Sequence, residues 1–588
     1  MSNASESPQS SRPNFPQLEE EMAAFWEKHK IFERSIEERP VKHTYVFYDG
    51  PPFATGMPHY GHILQSAIKD AVPRYFTMQG YRVPRRWGWD CHGLPVETLI
   101  EKNLKLNSKR DIETYGIEKF NEACHASVLQ YASEWKKYVT RIGRWIDFDG
   151  AYKTMDATYI ESVWWSFAEL WNKKLIYKDL RVSFYCPRCS TPLSNFEIAM
   201  GNSYRDAEDP SITIKFKVTG AEKTYLLAWT TTPWTLPANV ALAVNPEEIY
   251  VKARFTGTGE ALIFADKLTA SVLRHFLPLS TDGDVPFEIV EKMRGSQLVG
   301  LEVEPLYPLS PEAFQRVTAR EGNTIFRVVA MDYVSMDDGT GIVHTAPAFG
   351  EEDFLASKTH GLPVLVTVDE EGHQRPELGI AAGLPIKESD PVIIADLEAR
   401  GLLFRRETIS HSVPICWRCN TQLLYKAQPA WFVNVTKLKS KLLGAAKKIH
   451  WHPEHLKAGR FGKGIETAPD WCISRTRYWG APLPVWSCDV CGRPAVFGSI
   501  AALEKASGKK IHIGTDGLGL HRPAIDEITV ACPCGGRAAR IPDVFDCWYE
   551  SGSMPTASIH YPFENKKWFD AHFPAHFIAE AVDMTRGW

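Results

Sequence analysis

Four close pairs of cysteines constrain the fold of this chain more than any other sequence feature. Eight of the 12 cysteines among the 588 residues form them: Cys186/Cys189, Cys416/Cys419, Cys488/Cys491 and Cys532/Cys534. Twelve cysteines are too few for a disulfide scaffold at this length, and the polar segment 1–14 lacks the apolar stretch of a secretion signal. We therefore expect metal thiolates in a reducing cytoplasm, with zinc as the metal because it prefers four tetrahedral sulfur ligands.

The positions of the pairs indicate two zinc sites and one inserted domain. Between the first two pairs, residues 211–348 consist of short β-rich runs separated by turn residues. We predict an insertion at 190–410 whose neck is fastened by the first two pairs, and a zinc ribbon made by the other two. Four sulfur ligands leave no position for water, so both sites should be structural. Unpaired surface cysteines or two separate redox motifs are the alternative.

The segment after the polar tail opens in the manner of a nucleotide-binding fold. Residues 45–48 (YVFY) predict a buried strand, and residues 49–58 (DGPPFATGMP) predict a loop. A helix should run from His59 to about Met78, with Pro73 kinking or shortening it. A strand, a glycine loop and a helix in this order begin doubly wound α/β folds.

The predicted architecture is α/β. A tail at 1–14 precedes a Rossmann-like catalytic domain in two halves, 15–189 and 411–588, which a β-rich, barrel-like insertion at 190–410 interrupts. Thr158 with Glu161 predicts a capping box at the start of a helix within the first half.

Charge and hydropathy exclude two classes of protein. The 67 lysines and arginines balance 71 aspartates and glutamates, for a net charge of −4. This balance excludes a histone-like blanket of positive charge but leaves a local basic groove open. No uninterrupted apolar run reaches about 18 residues, so we expect no membrane span.

The motif His59-Tyr60-Gly61-His62 carries the first candidate chemistry. Histidines three residues apart share a helix face, and the positive end of a helix favours a nearby anion. Gly61 would let a flat ring or a phosphate approach the backbone. The motif therefore suits the phosphates of ATP, with the imidazoles donating to charge that develops on a transferring group. An ordinary surface pair of histidines is the alternative for the motif taken alone.

Eight motifs in one order extend this interpretation over the chain from about residue 15. They are 49–53 (DGPPF), 58–63 (PHYGHI), 88–97 (GWDCHGLPVE), 229–239 (WTTTPWTLPAN), 339–347 (GTGIVHTAP), 474–484 (SRTRYWGAPLP), 543–554 (DVFDCWYESGSM) and 577–588 (FIAEAVDMTRGW). Together they resemble the class I aminoacyl-tRNA synthetases, and within that class the isoleucine-specific family. Valine ligases of the same class are the nearest alternative, and a non-catalytic zinc-ribbon RNA-binding protein is the alternative outside the class.

The resemblance implies the roles of the catalytic residues. His59 and His62 would stabilise the transition state as the carboxylate of L-isoleucine attacks ATP bound with Mg²⁺. Asp90 would hold the substrate ammonium; an ordinary helix cap is its alternative. The remaining implied contacts are Gly61, Glu580 and Asp583 with the adenylate, and Pro51, Trp548 and Trp588 with the isoleucine side chain.

The resemblance also implies hydrolytic editing of valyl-tRNA(Ile) by the insertion. Asp353 would anchor the amino group of the mischarged valine, while threonine hydroxyls and an imidazole orient water. A β-turn with satisfied hydroxyls, a buried imidazole and a helix-capping aspartate are the alternatives. The other implied editing residues are Thr230, Thr231, Thr232, Asn239 and His344.

The chain departs from the family pattern in two ways. Met584 replaces a glutamine expected to help hold the amino group, and Ala581 adds a methyl group where the adenylate should lie close to the backbone. The second signature, Lys-Met-Ser-Lys-Ser, and an anticodon-binding region are missing, so we expect an amino-terminal fragment with weak activity of its own. Besides ATP and L-isoleucine, we expect tRNA(Ile) to bind this protein. Three basic residues could contact its phosphates, and the alternative is that they are simply solvated: Lys463, Arg475 and Arg477. We expect a cytoplasmic monomer.

Overall fold

The computed structural model describes residues 13–193, 195–198, 203–274, 286–308, 325–514 and 517–585. Contacts divide the chain into two units, residues 1–177 with 431–588 and residues 178–430. None of the helices in these described ranges is long and apolar enough to span a membrane.

The strands of the described residues are numbered here in chain order. They are β1 (Phe47–Tyr48), β2 (Arg86–Trp89), β3 (Asp147–Lys153), β4 (Ile176–Cys186), β5 (Thr191–Pro192), β6 (Tyr204–Lys217), β7 (Thr224–Thr230), β8 (Ala241–Val244), β9 (Ile249–Phe255), β10 (Ala261–Ala265), β11 (Phe287–Arg294), β12 (Arg327–Ala330), β13 (Ile342–Thr345), β14 (Leu403–Pro414), β15 (Leu424–Val433), β16 (Trp471–Cys472), β17 (Ser474–Arg475), β18 (Val485–Cys488), β19 (Pro494–Val496), β20 (Thr529–Ala531), β21 (Arg537–Arg540), β22 (Val544–Phe545) and β23 (Phe577–Ile578).

The α-helices are referred to by their bounds. They are Phe15–Lys28, Ile31–Glu37, Tyr60–Met78, Leu94–Leu104, Lys109–Tyr115, Ile117–Ser127, Ala132–Arg141, Ala157–Asn172, Asn195–Ile198, Thr269–Val272, Gly295–Leu298, Glu351–His360, Ile386–Ala399, Lys439–Ala446, Gly462–Thr467, Ile500–Ser507, Cys547–Gly552, Met554–Ala557 and Lys566–His572.

Parallel strand pairs organise the first unit. β1 pairs in parallel with β23, and β2 pairs in parallel with β3. Two parallel bridges, Thr44 with Arg82 and Phe53 with Asp90, join the segment around β1 to the segment around β2. The strand order is therefore β3-β2-β1-β23, with all strands parallel. β2 and β3 lie on one side of β1, and β23 lies on the other side. Ligands of such sheets bind at the carboxyl ends of the strands where the order changes direction, which here is at β1.

Two helix predictions have different outcomes. The helix after β1 runs from Tyr60 to Met78 without a break at Pro73, so the proline does not end it. The capping box at Thr158 was wrong, because the helix begins at Ala157 and its cap residue makes no side-chain cap hydrogen bond. Glu161 instead accepts a hydrogen bond from the Ile500 amide at 2.8 Å.

A large mixed sheet forms the second unit. Its nine strands run β11-β9-β10-β7-β13-β8-β12, with β6 added beside β7 and β14 beside β6. The strands bury continuous apolar runs, such as the wholly buried Ala241–Val244 of β8. Leu242 and Val244 pack into one apolar cluster of the unit, and Ala241 and Ala243 pack into another on the opposite face of the strand. This β-rich texture agrees with the prediction from residues 211–348.

Candidate functional site

The two histidines of the first motif lie at the start of the helix Tyr60–Met78. His59 is the extended N-cap residue, and its Nδ1 accepts a hydrogen bond from the Gly61 amide at 3.2 Å. His62 Nδ1 accepts from the His59 amide at 3.1 Å, and the two ring centroids are 3.8 Å apart. A ring nitrogen that accepts a hydrogen bond carries no proton. With Nδ1 occupied as an acceptor, each ring has Nε2–H available to donate to an anion.

Electrostatics keep His62 neutral near pH 7. Burial, the neighbouring His59 and Lys69 lower the pKa of His62 to about 4. Its ring also lies edge-on against Trp135, with centroids 4.7 Å apart. A Cβ atom added at Gly61 would lie 3.0 Å from the His59 ring, so a side chain there would displace the imidazole.

The loop before these histidines is held by buried ion pairs. Asp49 lies between Lys69, at 2.6 Å, and Arg144. Glu580, which follows β23, lies 2.7 Å from Lys69 and accepts a hydrogen bond from the Gly50 amide at 2.8 Å. Burial alone would raise the pKa of Asp49, and Arg144 with Lys69 outweighs it, so the pKa is lowered. Glu580 is thus bonded to the loop that precedes the histidine motif.

Asp90 follows β2 and lies beside the same loop. Its amide donates to Pro52 O at 3.0 Å, and its carbonyl accepts from the Ala54 amide at 3.1 Å. Its carboxyl is buried, and Oδ1 has no hydrogen-bond partner among the described residues. Burial and the nearby Glu550 raise the pKa of Asp90 well above its ordinary value. A ligand cation at Oδ1 would satisfy this group.

The helix-cap alternative for Asp90 is excluded by the structure, because Gly93 is the N-cap residue of the helix Leu94–Leu104. The loop 49–54, Asp90 and Glu580 are therefore brought together at the carboxyl ends of β1, β2 and β23, and the histidine motif follows this loop along the chain.

The other predicted catalytic residues are less completely described. Pro51 is half-buried in the loop, and Trp548 is half-buried on the helix Cys547–Gly552. Trp588 and the side chain of Asp583 lie outside the described residues. Of the two departures from the family pattern, Ala581 is exposed and Met584 is half-buried.

The expectation for two arginines was wrong. Arg475 is buried in an ion pair with Asp546 at 2.7 Å, and Arg477 is buried against two glutamates, Glu97 and Glu101. Side chains committed to buried carboxylates are neither solvated nor available to phosphates. Lys463 is exposed.

Both cysteine quartets form compact groups that could hold metal ions. The ligand atoms of each quartet lie within 4.8 Å of one another. In the first, Cys419 Sγ lies 3.5 Å from Cys186 Sγ and 3.6 Å from Cys189 Sγ. In the second quartet, the Sγ atoms of Cys488 and Cys534 are 3.5 Å apart, and those of Cys491 and Cys532 are 3.7 Å apart. Tetrahedral zinc with Zn–S bonds of about 2.3 Å requires sulfur separations of about 3.8 Å, so both groups fit it.

Short hairpins present these sulfurs. Cys186 pairs with Thr191 across β4 and β5, and the Cys416 amide bonds Thr421 O at 2.8 Å in a similar turn. In the second quartet, β18 pairs with both β19 and β21, which brings two turns side by side. A Cβ atom at Gly536 would meet Cys488 Sγ at 2.8 Å, so the close approach of these turns requires glycine.

In the second unit, the predicted threonines and histidine lie on neighbouring strands. β13 pairs in parallel with β7 with Val343 opposite Trp229, so His344 and Thr230 are one residue further along each strand. Thr232 Oγ1 lies 3.3 Å from both Thr230 Oγ1 and Thr235 Oγ1. Thr235 Oγ1 lies 3.0 Å from His344 Nε2, and the sequence analysis did not single it out. Thr231 is half-buried beside this chain of hydroxyls.

Two of the predicted editing residues have a buried polar atom with no hydrogen-bond partner within the described ranges. These atoms are His344 Nδ1 and Asn239 Oδ1. Burial lowers the pKa of His344 to about 4, so the ring is neutral near pH 7. Asn239 donates to Ala241 O at 2.9 Å, which fixes its amide at the start of β8.

Asp353 lies in the first turn of the helix Glu351–His360. Its carboxylate accepts hydrogen bonds from the Ala346 amide at 3.0 Å and from Tyr333 Oη at 3.3 Å. Burial raises the pKa of Asp353 to about 6. Tyr333 was missed from the sequence because it belongs to none of the motifs.

Comparison with known proteins identifies the class. A family model described as tRNA synthetases class I (I, L, M and V) matches residues 21–588, and the chain belongs to this family. The predicted class I synthetase fold is confirmed.

Within this class, two curated relatives that are similar to this chain are isoleucine–tRNA ligases. The isoleucine–tRNA ligase of Treponema denticola is 47% identical over 98% of this chain and 53% of its own length. That of Thermus thermophilus is 48% identical over the same shares. The chain thus spans about half the length of the curated relatives it matches. A solved ternary complex of Agrobacterium radiobacter LeuRS with tRNA and LeuAMS is 19% identical over 90% of this chain and 58% of that one, with a TM-score of 0.33.

Proposed function

We propose that this chain is the amino-terminal part of an isoleucine–tRNA ligase. The observation that carries the proposal is the contact of Asp90 with the loop 49–54 at the carboxyl ends of parallel strands, because that loop leads directly into the histidine motif. This is where doubly wound folds bind nucleotides. The identities of 47% and 48% with two isoleucine–tRNA ligases support isoleucine over valine.

The first step would be attack of the isoleucine carboxylate on the α-phosphorus of ATP, with pyrophosphate leaving and isoleucyl-adenylate remaining bound. Both Nε2–H groups of the histidine pair would donate to charge that develops on the phosphates. Asp90 would bind the ammonium through its unpartnered Oδ1. Pro51, Trp548 and Trp588 would contact the side chain, and Gly61, Glu580 and Asp583 would contact the adenylate. Mg²⁺ bound with ATP would supply further charge stabilisation.

In the second step, a terminal ribose hydroxyl of tRNA(Ile) would attack the carbonyl carbon of the adenylate, so that an ester forms, the acyl–phosphate bond breaks and AMP leaves. This step needs no covalent enzyme intermediate, so positioning of the two substrates accounts for the role of the protein.

We propose hydrolytic editing as the activity of the second unit. Isoleucine ligases are the established example of limited discrimination, because the one methylene that valine lacks is worth only about 1–3 kcal/mol. Asp353 would anchor the ammonium of mischarged valine. Thr230, Thr231, Thr232, Asn239 and His344 would orient the ribose end and a water molecule.

We propose zinc as the ion at both cysteine quartets, with a structural role. The four sulfurs of each group fit a closed tetrahedral site, and zinc there would fix the two turns that supply the sulfurs. We propose the domain boundaries 15–189, 190–410 and 411–588, a cytoplasmic location and a monomeric state.

Amino-acid-dependent exchange between ATP and pyrophosphate tests the proposed function. The full-length protein should exchange with isoleucine far better than with valine, and Asp90→Asn should abolish the exchange. A preference for valine would favour a valine ligase, and no exchange with any amino acid would favour an RNA-binding protein. Asp353→Ala should lose deacylation of valyl-tRNA(Ile) while isoleucine activation stays intact.

A further inference from the structure

The segment from Asp90 to Gly93 is fixed by its backbone. The Asp90 amide donates to Pro52 O at 3.0 Å, and the Cys91 amide donates to Thr154 Oγ1 at 2.9 Å. The His92 amide donates to the Asp90 carboxyl, and the Gly93 amide donates to Trp479 O at 3.1 Å. Since each amide has an acceptor, the segment has little freedom to shift. The polar group that it leaves without a partner among the described residues is Asp90 Oδ1.

The side chain of His92 is fully buried and contacts two other polar side chains. Its Nδ1 makes a short hydrogen bond with Glu550 Oε2, and its Nε2 lies 2.9 Å from His521 Nε2. His521 stacks on Trp479, with centroids 4.7 Å apart. The side chains of His92, Glu550 and His521 are all buried. Burial lowers the pKa of His92 to about 3, so its neutral ring donates through one nitrogen and accepts through the other.

Glu550 connects this histidine to the helix that carries Trp548. The Ala481 amide donates to Glu550 Oε1 at 3.1 Å, and Tyr159 Oη donates to the Glu550 carbonyl at 2.8 Å. The first residue of the same helix, Cys547, limits the space at Gly93, where an added Cβ atom would lie 3.1 Å from its Cβ. The segment of Asp90 and the helix of Trp548 therefore contact each other directly and through the His92–Glu550 bond.

We propose that His92 is a positioning residue for the amino-acid substrate. Through its bond to Glu550 it holds the ammonium-binding carboxylate and the helix of Trp548 at a fixed separation. The inference rests on the proposed function, because it assigns the ammonium to Asp90. A role in packing alone would require only the volume of the ring, whereas the proposed role requires the donor or acceptor at Nδ1.

Two conservative variants of the full-length enzyme separate these roles. His92→Asn keeps a polar nitrogen near Nδ1 and can still bond Glu550, whereas His92→Gln places its amide near Nε2 and reaches His521. We expect His92→Gln to raise the KM for isoleucine in pyrophosphate exchange about tenfold, with the KM for ATP changed less than about twofold. His92→Asn should stay within about threefold of the parent for both substrates.

A matched control is the pair of His560 and Glu161 in the same unit, whose Nε2–Oε2 distance is 2.9 Å. His560→Asn and His560→Gln should leave both KM values unchanged. The inference is overturned if the two His92 variants behave alike, if the KM for ATP rises in parallel, or if neither variant folds by circular dichroism. A parent enzyme without isoleucine-dependent exchange would instead refute the proposed function.

Discussion

Replacing Lys69 with methionine should destabilise the first unit strongly. The Lys69 ammonium lies 2.6 Å from Asp49 and 2.7 Å from Glu580, and the exposed fractions of the three side chains are 5%, 5% and 13%. Methionine preserves most of the side-chain volume but removes the cation that the two carboxylates share. Asp49 would keep Arg144, whereas Glu580 would keep only the Gly50 amide among the contacts named above.

The magnitude follows from burial. Removing one partner of a buried ion pair costs about 3–5 kcal/mol, a factor of more than one hundred in the folding equilibrium. Burial, opposed by Lys69, already raises the pKa of Glu580, so this carboxyl can take up a proton in the variant. Protonation limits the penalty, and we expect a loss near the lower end, about 3 kcal/mol.

Urea unfolding followed by tryptophan fluorescence measures this loss. The lowered pKa of Asp49 means that its contribution is present above the ordinary titration range of aspartate and is lost as the pH falls. The parent should therefore lose stability on acidification more steeply than the variant. Lys136→Met is the control: its partner is Asp149, the side chains are 53% and 80% exposed, and the change should stay within about 1 kcal/mol. Equal losses for the two variants would refute the reasoning.

Three further predictions concern the metal sites, editing and the substrate site. Treatment with a thiol-modifying reagent should release two zinc ions per chain, detected with a colorimetric chelator; Cys186→Ser should release one, and Cys124→Ser, at a buried cysteine outside both quartets, should still release two. Deacylation of valyl-tRNA(Ile) should fall as the pH drops below about 6, because burial raises the pKa of Asp353 to about 6 and only the carboxylate attracts the ammonium; a rate independent of pH between 5 and 7 would contradict this role. Met584→Gln should lower the KM for isoleucine in the full-length enzyme by restoring a polar group, and an unchanged KM would count against a role for this position.

Sequence reasoning succeeded where function depends on local spacing. The spacing of the two histidines predicted that both lie at the start of one helix, and the structure has His59 as the extended N-cap residue and His62 in the first turn. The cysteine pairs also form local turns, and their chemistry indicates which turns belong together. Asp90 needed more, since its place beside the loop 49–54 depends on the parallel order of β1 and β2.

Contacts between distant segments account for what the sequence did not reveal. The bond between His92 and Glu550 joins residues 458 positions apart, and no spacing rule predicts such a pair. For Arg475 and Arg477 the sequence suggested a contact that the structure does not support. A cationic side chain suggests a phosphate contact, but in the fold both arginines pair with buried carboxylates. Tyr333 and Thr235 were missed because their contacts with Asp353 and His344 depend on the fold. In sequence alone they cannot be told apart from ordinary core residues.

Two pairs of buried polar side chains hold backbone segments of the candidate site. Buried ion pairs and buried polar hydrogen bonds are weak stabilisers compared with apolar packing, since desolvation offsets much of the attraction. Asp49 with Lys69 fixes the loop that leads to the histidine motif, and His92 with Glu550 fixes the segment that presents Asp90. Directional hydrogen bonds place backbone more narrowly than apolar contacts can, and catalysis depends on such placement. These groups are therefore better explained by the geometry they impose on the two loops than by the stability they add.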